Sequence, residues 1–362
     1  MTPGEKRKAA FRAMSLEKRY PRILARTLDG VDDPGIIAEI ERLGRFLLGA
    51  EPFAAAENIA DPAWAALHAA HDGRHADEIG FLELEYLAFE GILRAHRYET
   101  RRIDPFAADK AMDIGAGLAR CETLFEKIGS VPEALRASLL GNAHDASQLV
   151  IQTGGMLLDP EALALPEGAE RIDIICDNAG EEFLADLVLA GVLLRAGAER
   201  VRLNLKAMPW FVSDVTCADA EAVFAVAAMG EGPADGLCAT LLAAREEGRL
   251  VLEADPLWTR PLGFTGGHLA AALGPDRGAV ILKGDLNYRR AVDDLSIDVF
   301  TPFADLPEGP DRPLLSLRSV KSHCWVGMTR AIWPEGIDPD AFPTDGTVFM
   351  AQAIPGRGRE SA

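Results

Sequence analysis

Cysteine is scarce in this chain and never closely paired. The five present, at positions 121, 176, 217, 238 and 324, include no Cys-x-x-Cys, so neither a zinc ribbon nor a disulfide framework is indicated. Basic residues are also in short supply: 37 Lys plus Arg face 56 Asp plus Glu, a net charge of −19. That balance argues against a nucleic-acid groove or an anionic membrane surface as the main partner. Long apolar runs are missing too, and no segment predicts a membrane-spanning helix. The basic stretch 1–22 lacks the apolar core and small-residue cleavage site of a secretory signal, so the expected location is cytoplasmic. There is no GxxxxGK[ST], GxSxG, HExxH or GxGxxG after a strand. The usual P-loop, hydrolase-triad, zincin and dinucleotide readings therefore lack support.

What is present is a large apolar fraction, 48% of 362 residues, enough for one large or two ordinary domains. Residues 1–150 carry helical signals almost throughout. Asp33-Pro34 and Asp61-Pro62 are start signals, an Asp cap followed by Pro in the first turn. Apolar positions three and four apart continue from Ile36 to Leu48, and further helices are predicted over 81–98, 109–127 and 131–139. After Gly154-Gly155 the texture changes. Strands are predicted at 172–176, 200–205, 250–253, 278–283 and 314–317, with helices at 181–195 and 219–229, the latter capped by Asp219. Alternating strands and helices predict an α/β fold. A helical N-terminal region (1–150) would pack on a three-layer α/β domain with a largely parallel sheet (151–351), followed by a loose tail (352–362).

The chemistry concentrates where strands end. Ile172–Cys176 stops at Asp177-Asn178, a carboxylate and a carboxamide side by side. Oxygen donors of this kind suit a hard divalent cation, and the carboxyl edge of a parallel sheet is where ligands bind. The helix opening at Glu181 adds unpaired N–H groups that suit a phosphate. The same dipeptide also suits a plain turn and helix cap. Asp214, one strand and loop further on, would reach the same edge, giving Asp177, Asn178 and Asp214 as an oxygen set for Mg²⁺ or Mn²⁺. Lys206 reads as a solvated strand end or a phosphate contact, and Trp210 and Phe211 as packing residues. Lys283-Gly-Asp285-Leu-Asn287-Tyr288-Arg289 crowds polar groups into one turn, with Gly284 allowing close backbone approach. Arg318 and Lys321 lie beyond a later strand, Arg suited to bidentate grip of a phosphate and Lys to a point charge. His144 reads as a surface or structural histidine, and His68, His71 and His75 as an exposed helix face.

Taken together these segments resemble the metal-dependent damage-control phosphatases, in the branch also called acidic residue methyltransferase-like. The resemblance rests on Asp177-Asn-Ala-Gly-Glu-Glu-Phe, Lys206-Ala-Met-Pro-Trp-Phe-Val-Ser-Asp214-Val-Thr, Lys283-Gly-Asp-Leu-Asn-Tyr-Arg289 and Arg318-Ser-Val-Lys321. Gly141-Asn-Ala-His-Asp145-Ala-Ser and Asp104-Pro-Phe also fit, so it spans roughly 15–330 in order. It implies a metal on Asp177, Asn178 and Asp214, with Mn²⁺, Co²⁺ or Ni²⁺ as the usual ions and Mg²⁺ also considered. It implies substrate contacts at Asn142, Asp145, Glu182, Lys283, Asp285, Asn287, Tyr288, Arg289, Arg318 and Lys321. The implied substrates are small phosphorylated metabolites, sugar phosphates such as fructose 1-phosphate. Three segments depart from the pattern: Ser319 replaces Thr, Phe89-Glu90 replaces Tyr-Arg, and Glu181 stands where an aromatic is common.

The expected reaction is metal-assisted hydrolysis of a phosphate monoester, with Arg289 and Lys321 neutralising charge on the transferring group. An aspartyl-phosphate route through Asp177 ranks low, because position 179 is Ala where a partner Asp is needed. Methyl transfer from S-adenosylmethionine onto protein glutamates is the rival enzyme reading, but no glycine-rich methyltransferase loop follows a first strand. A non-catalytic sugar-phosphate-binding role is the rival from outside enzymology.

Overall fold

In the computed structural model of the protein the described residues are 12–141, 156–165, 169–230, 233–274, 278–295, 297–307, 309–310, 312–338 and 342–356. Asn142, His144 and Asp145 lie outside them. The chain divides into two compact units, Met1–Lys110 with Pro209–Ser213 and Thr259–Leu262, and Ala111–Met208 with Asp214–Trp258 and Gly263–Ala362.

The first unit is helical. Its longer helices are α1 (Tyr20–Thr27), α2 (Pro34–Leu47), α3 (Pro62–His71) and α4 (Phe81–Ala95). The two Asp-Pro signals work as expected: Asp33 accepts from Gly35 and Ile36 N, and Asp61 from Ala63 and Trp64 N. Helix α4 stops short of Tyr98 because Arg97 turns left-handed at φ 54°. Trp210 stacks on Tyr86 at 5.8 Å and meets Trp64 edge-on, while Phe211 stacks on Phe89 at 4.4 Å. Both are packing residues. His68 and His71 are buried rather than exposed. Helix α3 is apolar nearly all round, so its imidazoles turn inward and meet acids, His68 at 3.2 Å from Glu90 and His71 at 3.3 Å from Glu83. Glu90, one of the departing residues, thus has its partner inside this unit.

The second unit is built on one seven-stranded sheet. Its strands are β1 (Met156–Leu158), β2 (Arg171–Ile175), β3 (Arg200–Asn204), β4 (Leu250–Glu253), β5 (Ala279–Lys283), β6 (Leu314–Ser319) and β7 (Val348–Ile354). The order is β1-β7-β6-β5-β2-β3-β4. Strands β2 to β6 run parallel, β7 runs antiparallel to β6, and β1 follows β7. Strand β7 includes Gln352, which the sequence placed in a loose tail. Gln352 pairs with Ser316 in the sheet and donates Nε2 to Val326 O at 2.8 Å, so a polar residue interrupts the apolar signal while remaining inside.

Among the described residues six longer helices belong to this unit: α5 (Ile114–Lys127), α6 (Val131–Leu140), α7 (Glu181–Arg195), α8 (Cys217–Met229), α9 (Leu237–Glu246) and α10 (Asp285–Ala291). Helix α7 is buried from Glu182 to Leu194 and packs against α5, α6 and α9, as a helix apolar on every side must. Because α5 and α6 turn Leu118, Phe125, Leu135 and Leu139 into this core, the change of texture near residue 150 marks where strands begin, not where the core changes. Helix α8 starts earlier than predicted: Thr216 is its cap, and Asp219 closes a capping box by accepting from Thr216 N at 2.8 Å.

Topology sets the place of the site. From β2 the chain moves outward to β3 and β4, then returns to lay β5 on the other flank of β2. The reversal opens a crevice at the carboxyl ends of β2 and β5, the switch point where open α/β sheets bind ligands.

Candidate metal and phosphate site

Asp177 and Asn178 leave the end of β2 at this crevice, and Gly284 leaves the end of β5 facing them. The loop after β3 folds back on itself: Lys206 N donates to Val215 O and Val215 N to Asp177 O, both at 2.9 Å. An isolated bridge then lays Asp214 beside Asn178. The three residues expected to share one edge do share it.

Their side chains are tightly constrained. Asn178 Nδ2 donates to Asp177 Oδ2 at 2.9 Å and to Glu182 Oε2 at 2.8 Å, which links the β2 edge to the first turn of α7. Lys206 Nζ donates to Cys176 O at 3.1 Å and lies 3.3 Å from Asp214 Oδ2. At 1% exposure Lys206 is neither a solvated strand end nor a surface phosphate contact; it is a buried countercharge to Asp214. Asp177, Glu182 and Asp214 are all buried. Burial, then Asp214 and Glu182, push the Asp177 carboxyl well above its ordinary range, with Lys206 and Lys321 pulling the other way.

This donor set fits a hard divalent cation. Two buried carboxylates flank a carboxamide, and a cation in the crevice would offset both the burial and the added repulsion from Asp214 and Glu182 that raise Asp177. Among the described residues no group of three or more His, Cys, Asp and Glu side chains has metal-holding geometry; the candidate set depends on Asn178 as its third member.

A family model for the damage-control phosphatase ARMT1-like domain matches residues 15–331. The chain belongs to that family. Among curated relatives, damage-control phosphatase ARMT1 of Danio rerio is 34% identical over 166 residues, 44% of this chain and 37% of that protein. The Xenopus laevis protein of the same name is 33% identical over 173 residues, 45% of this chain and 39% of that one. The matched stretch therefore spans less than two fifths of these relatives' own length. A solved DUF89 family protein from Pyrococcus horikoshii aligns over 86% of this chain and 90% of its own, with 14% identity and a TM-score of 0.47.

In this ARMT1-like chain the other expected substrate residues separate into groups. Asp285 opens α10 at the crevice, held by Arg318 Nη1 at 2.9 Å and Lys321 N at 3.3 Å. Lys321 itself is exposed. Arg318 is not a phosphate clamp: it is 1% exposed, donates also to Cys324 O at 2.9 Å, and lies 3.5 Å over the Tyr288 ring. Tyr288 is interior as well, its hydroxyl accepting from Val326 N at 3.1 Å. Arg289 already grips a carboxylate in bidentate fashion, Asp294 at 2.7 and 3.1 Å. Asn287 donates Nδ2 to Lys283 O at 2.9 Å, tying the α10 turn to β5.

Lys283 also differs from expectation. Its ammonium points inward, to Ser138 O at 2.6 Å and to Ser138 Oγ and Asp186 Oδ1 at 2.7 Å, so it does not reach substrate. Burial lowers its pKa, but Asp186 and Glu182 outweigh that and hold it above the ordinary lysine value. Neither Ser138 nor Asp186 stood out from the sequence. The available signal was Asp186 itself, an acid one turn after Glu182 inside an otherwise apolar helix.

Proposed function

We propose that the chain is a divalent-metal-dependent phosphatase of small phosphomonoesters, with sugar phosphates such as fructose 1-phosphate as substrates. The observation that carries this reading is the convergence of Asp177, Asn178 and Asp214 at the switch point of the sheet, over Gly284. Membership of the damage-control phosphatase ARMT1-like family supports it.

In this reading Asp177, Asn178 and Asp214 hold Mn²⁺, Co²⁺, Ni²⁺ or Mg²⁺. When bound, such an ion polarises a phosphoryl oxygen and raises the nucleophilicity of water. The chain's own residues do the rest. Lys206 compensates Asp214 from behind, 3.3 Å from its Oδ2, inside a buried site. Lys321, exposed beside Asp285, meets the phosphate with a mobile point charge. Asp285, fixed by Arg318, offers an acceptor to a substrate hydroxyl. Asn142 and Asp145, outside the described residues, are kept as substrate contacts on the family resemblance alone, as is Arg289, which is held in its Asp294 pair. In this reading the enzyme acts on small phosphorylated metabolites in the cytoplasm.

The test is inorganic phosphate release from p-nitrophenyl phosphate and a panel of sugar phosphates, using chelator-stripped protein with each metal restored, beside Asp177→Ala. Metal-dependent release that the substitution abolishes supports the reading. No release with any metal across the panel overturns it.

A further inference from the structure

Behind the candidate ligands lies a buried charge cluster that the proposed chemistry does not use. Lys283 has three N–H donors and three acceptors within 2.7 Å: Ser138 O, Ser138 Oγ and Asp186 Oδ1. It stops 3.7 Å from Glu182 Oε1, outside hydrogen-bond reach. Ser138 Oγ donates to the same Asp186 oxygen at 2.6 Å, which locks that arrangement. Glu182 meanwhile accepts from Asn178 Nδ2 on its other oxygen at 2.8 Å. Glu182 thus stands between two donors, and hydrogen-bonds only one of them.

We propose that Asp186 is a positioning residue for the metal ligand Asn178: with Ser138 it anchors Lys283, and so leaves Glu182 to orient the Asn178 carboxamide. The inference rests on the metal reading above. Helix geometry makes the division of labour possible, because Glu182 and Asp186 are one turn apart on the same face of α7 and both face Lys283 at the end of β5. A buried ammonium takes the best acceptor within reach. With Asp186 charged, that acceptor lies away from the crevice. With Asp186 neutral, the nearest carboxylate is Glu182, and a movement of about 1 Å brings Lys283 into hydrogen-bond range of it. Glu182 is then drawn off Asn178, and the carboxamide loses the shorter of the two hydrogen bonds by which Nδ2 holds its rotation, to Glu182 at 2.8 Å and to Asp177 at 2.9 Å. Partners of this kind, touching a ligand residue rather than the metal, typically change metal affinity by about 10- to 100-fold.

The experiment is a Mn²⁺ titration of the full chain after chelator treatment, with free Mn²⁺ read by electron paramagnetic resonance and native helix content checked by circular dichroism. Asp186→Asn keeps the side-chain shape and removes its charge; Mn²⁺ binding should weaken about 10-fold. Adding Lys283→Met removes the competing cation, so the double variant should bind Mn²⁺ more tightly than Asp186→Asn alone. A merely structural role predicts the opposite, a second loss on top of the first. Ser138→Ala should weaken binding in the same direction, by less. Asp186→Asn that binds like the wild type, or a double variant weaker than the single, overturns the proposal. If Asp186→Asn does not fold, Ser138→Ala decides, and unchanged affinity there overturns it. Wild-type protein that binds no Mn²⁺ removes the metal reading and this inference together, whereas tight wild-type binding with unaltered variants removes this inference alone.

Discussion

Gly284 lies against the Asp177 carboxylate so closely that a Cβ on it would fall 2.0 Å from Asp177 Oδ2 and 2.2 Å from Cγ. The backbone at Gly284 has φ 84° and ψ 163°, a region essentially confined to glycine, where a side chain costs about 1–3 kcal/mol. Two independent constraints therefore require glycine here. Gly284→Ala should displace Asp177 from the crevice and weaken Mn²⁺ binding by at least about 10-fold, while lowering the unfolding free energy by about 1–3 kcal/mol. Metal titration and denaturant unfolding read the two effects separately.

Burial, with Glu182 adding to it, pushes the Asp186 carboxyl up to about 6 from its ordinary 3.8, against the pull of Lys283. Between these two values the folded protein keeps a proton that the unfolded chain has released. The contribution of this group to stability therefore falls as pH rises from about 4 to about 6, then levels off. The full effect is on the order of 3 kcal/mol. Asp186→Asn should remove that slope, so the difference in unfolding free energy between variant and wild type should change with pH in this window and be constant above it. A difference that does not vary with pH would show that Asp186 titrates as an ordinary carboxyl.

How much of this was legible in the sequence depends on where each signal lies. Asp33, Asp61 and the run 181–195 were readable because caps and apolar periodicity act within one turn of the chain. Asp177, Asn178 and Asp214 were readable as strand-end oxygens, and topology brought them to one edge. The destinations of the cations were not readable. Lys206, Lys283, Arg289 and Arg318 look alike in sequence as basic residues near strand ends. Whether each faces a ligand or the interior depends on carboxylates and carbonyls far away in sequence, such as Asp186 for Lys283 and Cys324 O for Arg318. Strand β7 was not predicted at all, and its end was read as tail for a similar reason, since Gln352 is satisfied inside by Val326 O.

Arg318 joins Asp285, Cys324 O and the Tyr288 ring through one planar group. Lysine cannot make those contacts together. Arg318→Lys should cost about 2–3 kcal/mol of stability and lower kcat/KM as Asp285 loses its anchor. A variant of unchanged stability with raised KM alone would instead make Arg318 a direct phosphate contact.

Lys321 is the contrasting case, exposed and beside the same Asp285. Lys321→Ala should change stability by no more than about 0.5 kcal/mol while lowering kcat/KM for a phosphorylated substrate by about 10-fold or more. Steady-state kinetics paired with thermal unfolding distinguishes this from a structural defect.

One metal ion held by Asp177, Asn178 and Asp214 would be seen in an anomalous difference map from crystals grown with Mn²⁺. A strong peak is expected about 2.1 Å from an oxygen of each of the three side chains, lost in Asp177→Ala. A peak elsewhere, or no peak in crystals of protein that binds Mn²⁺ in solution, would contradict it.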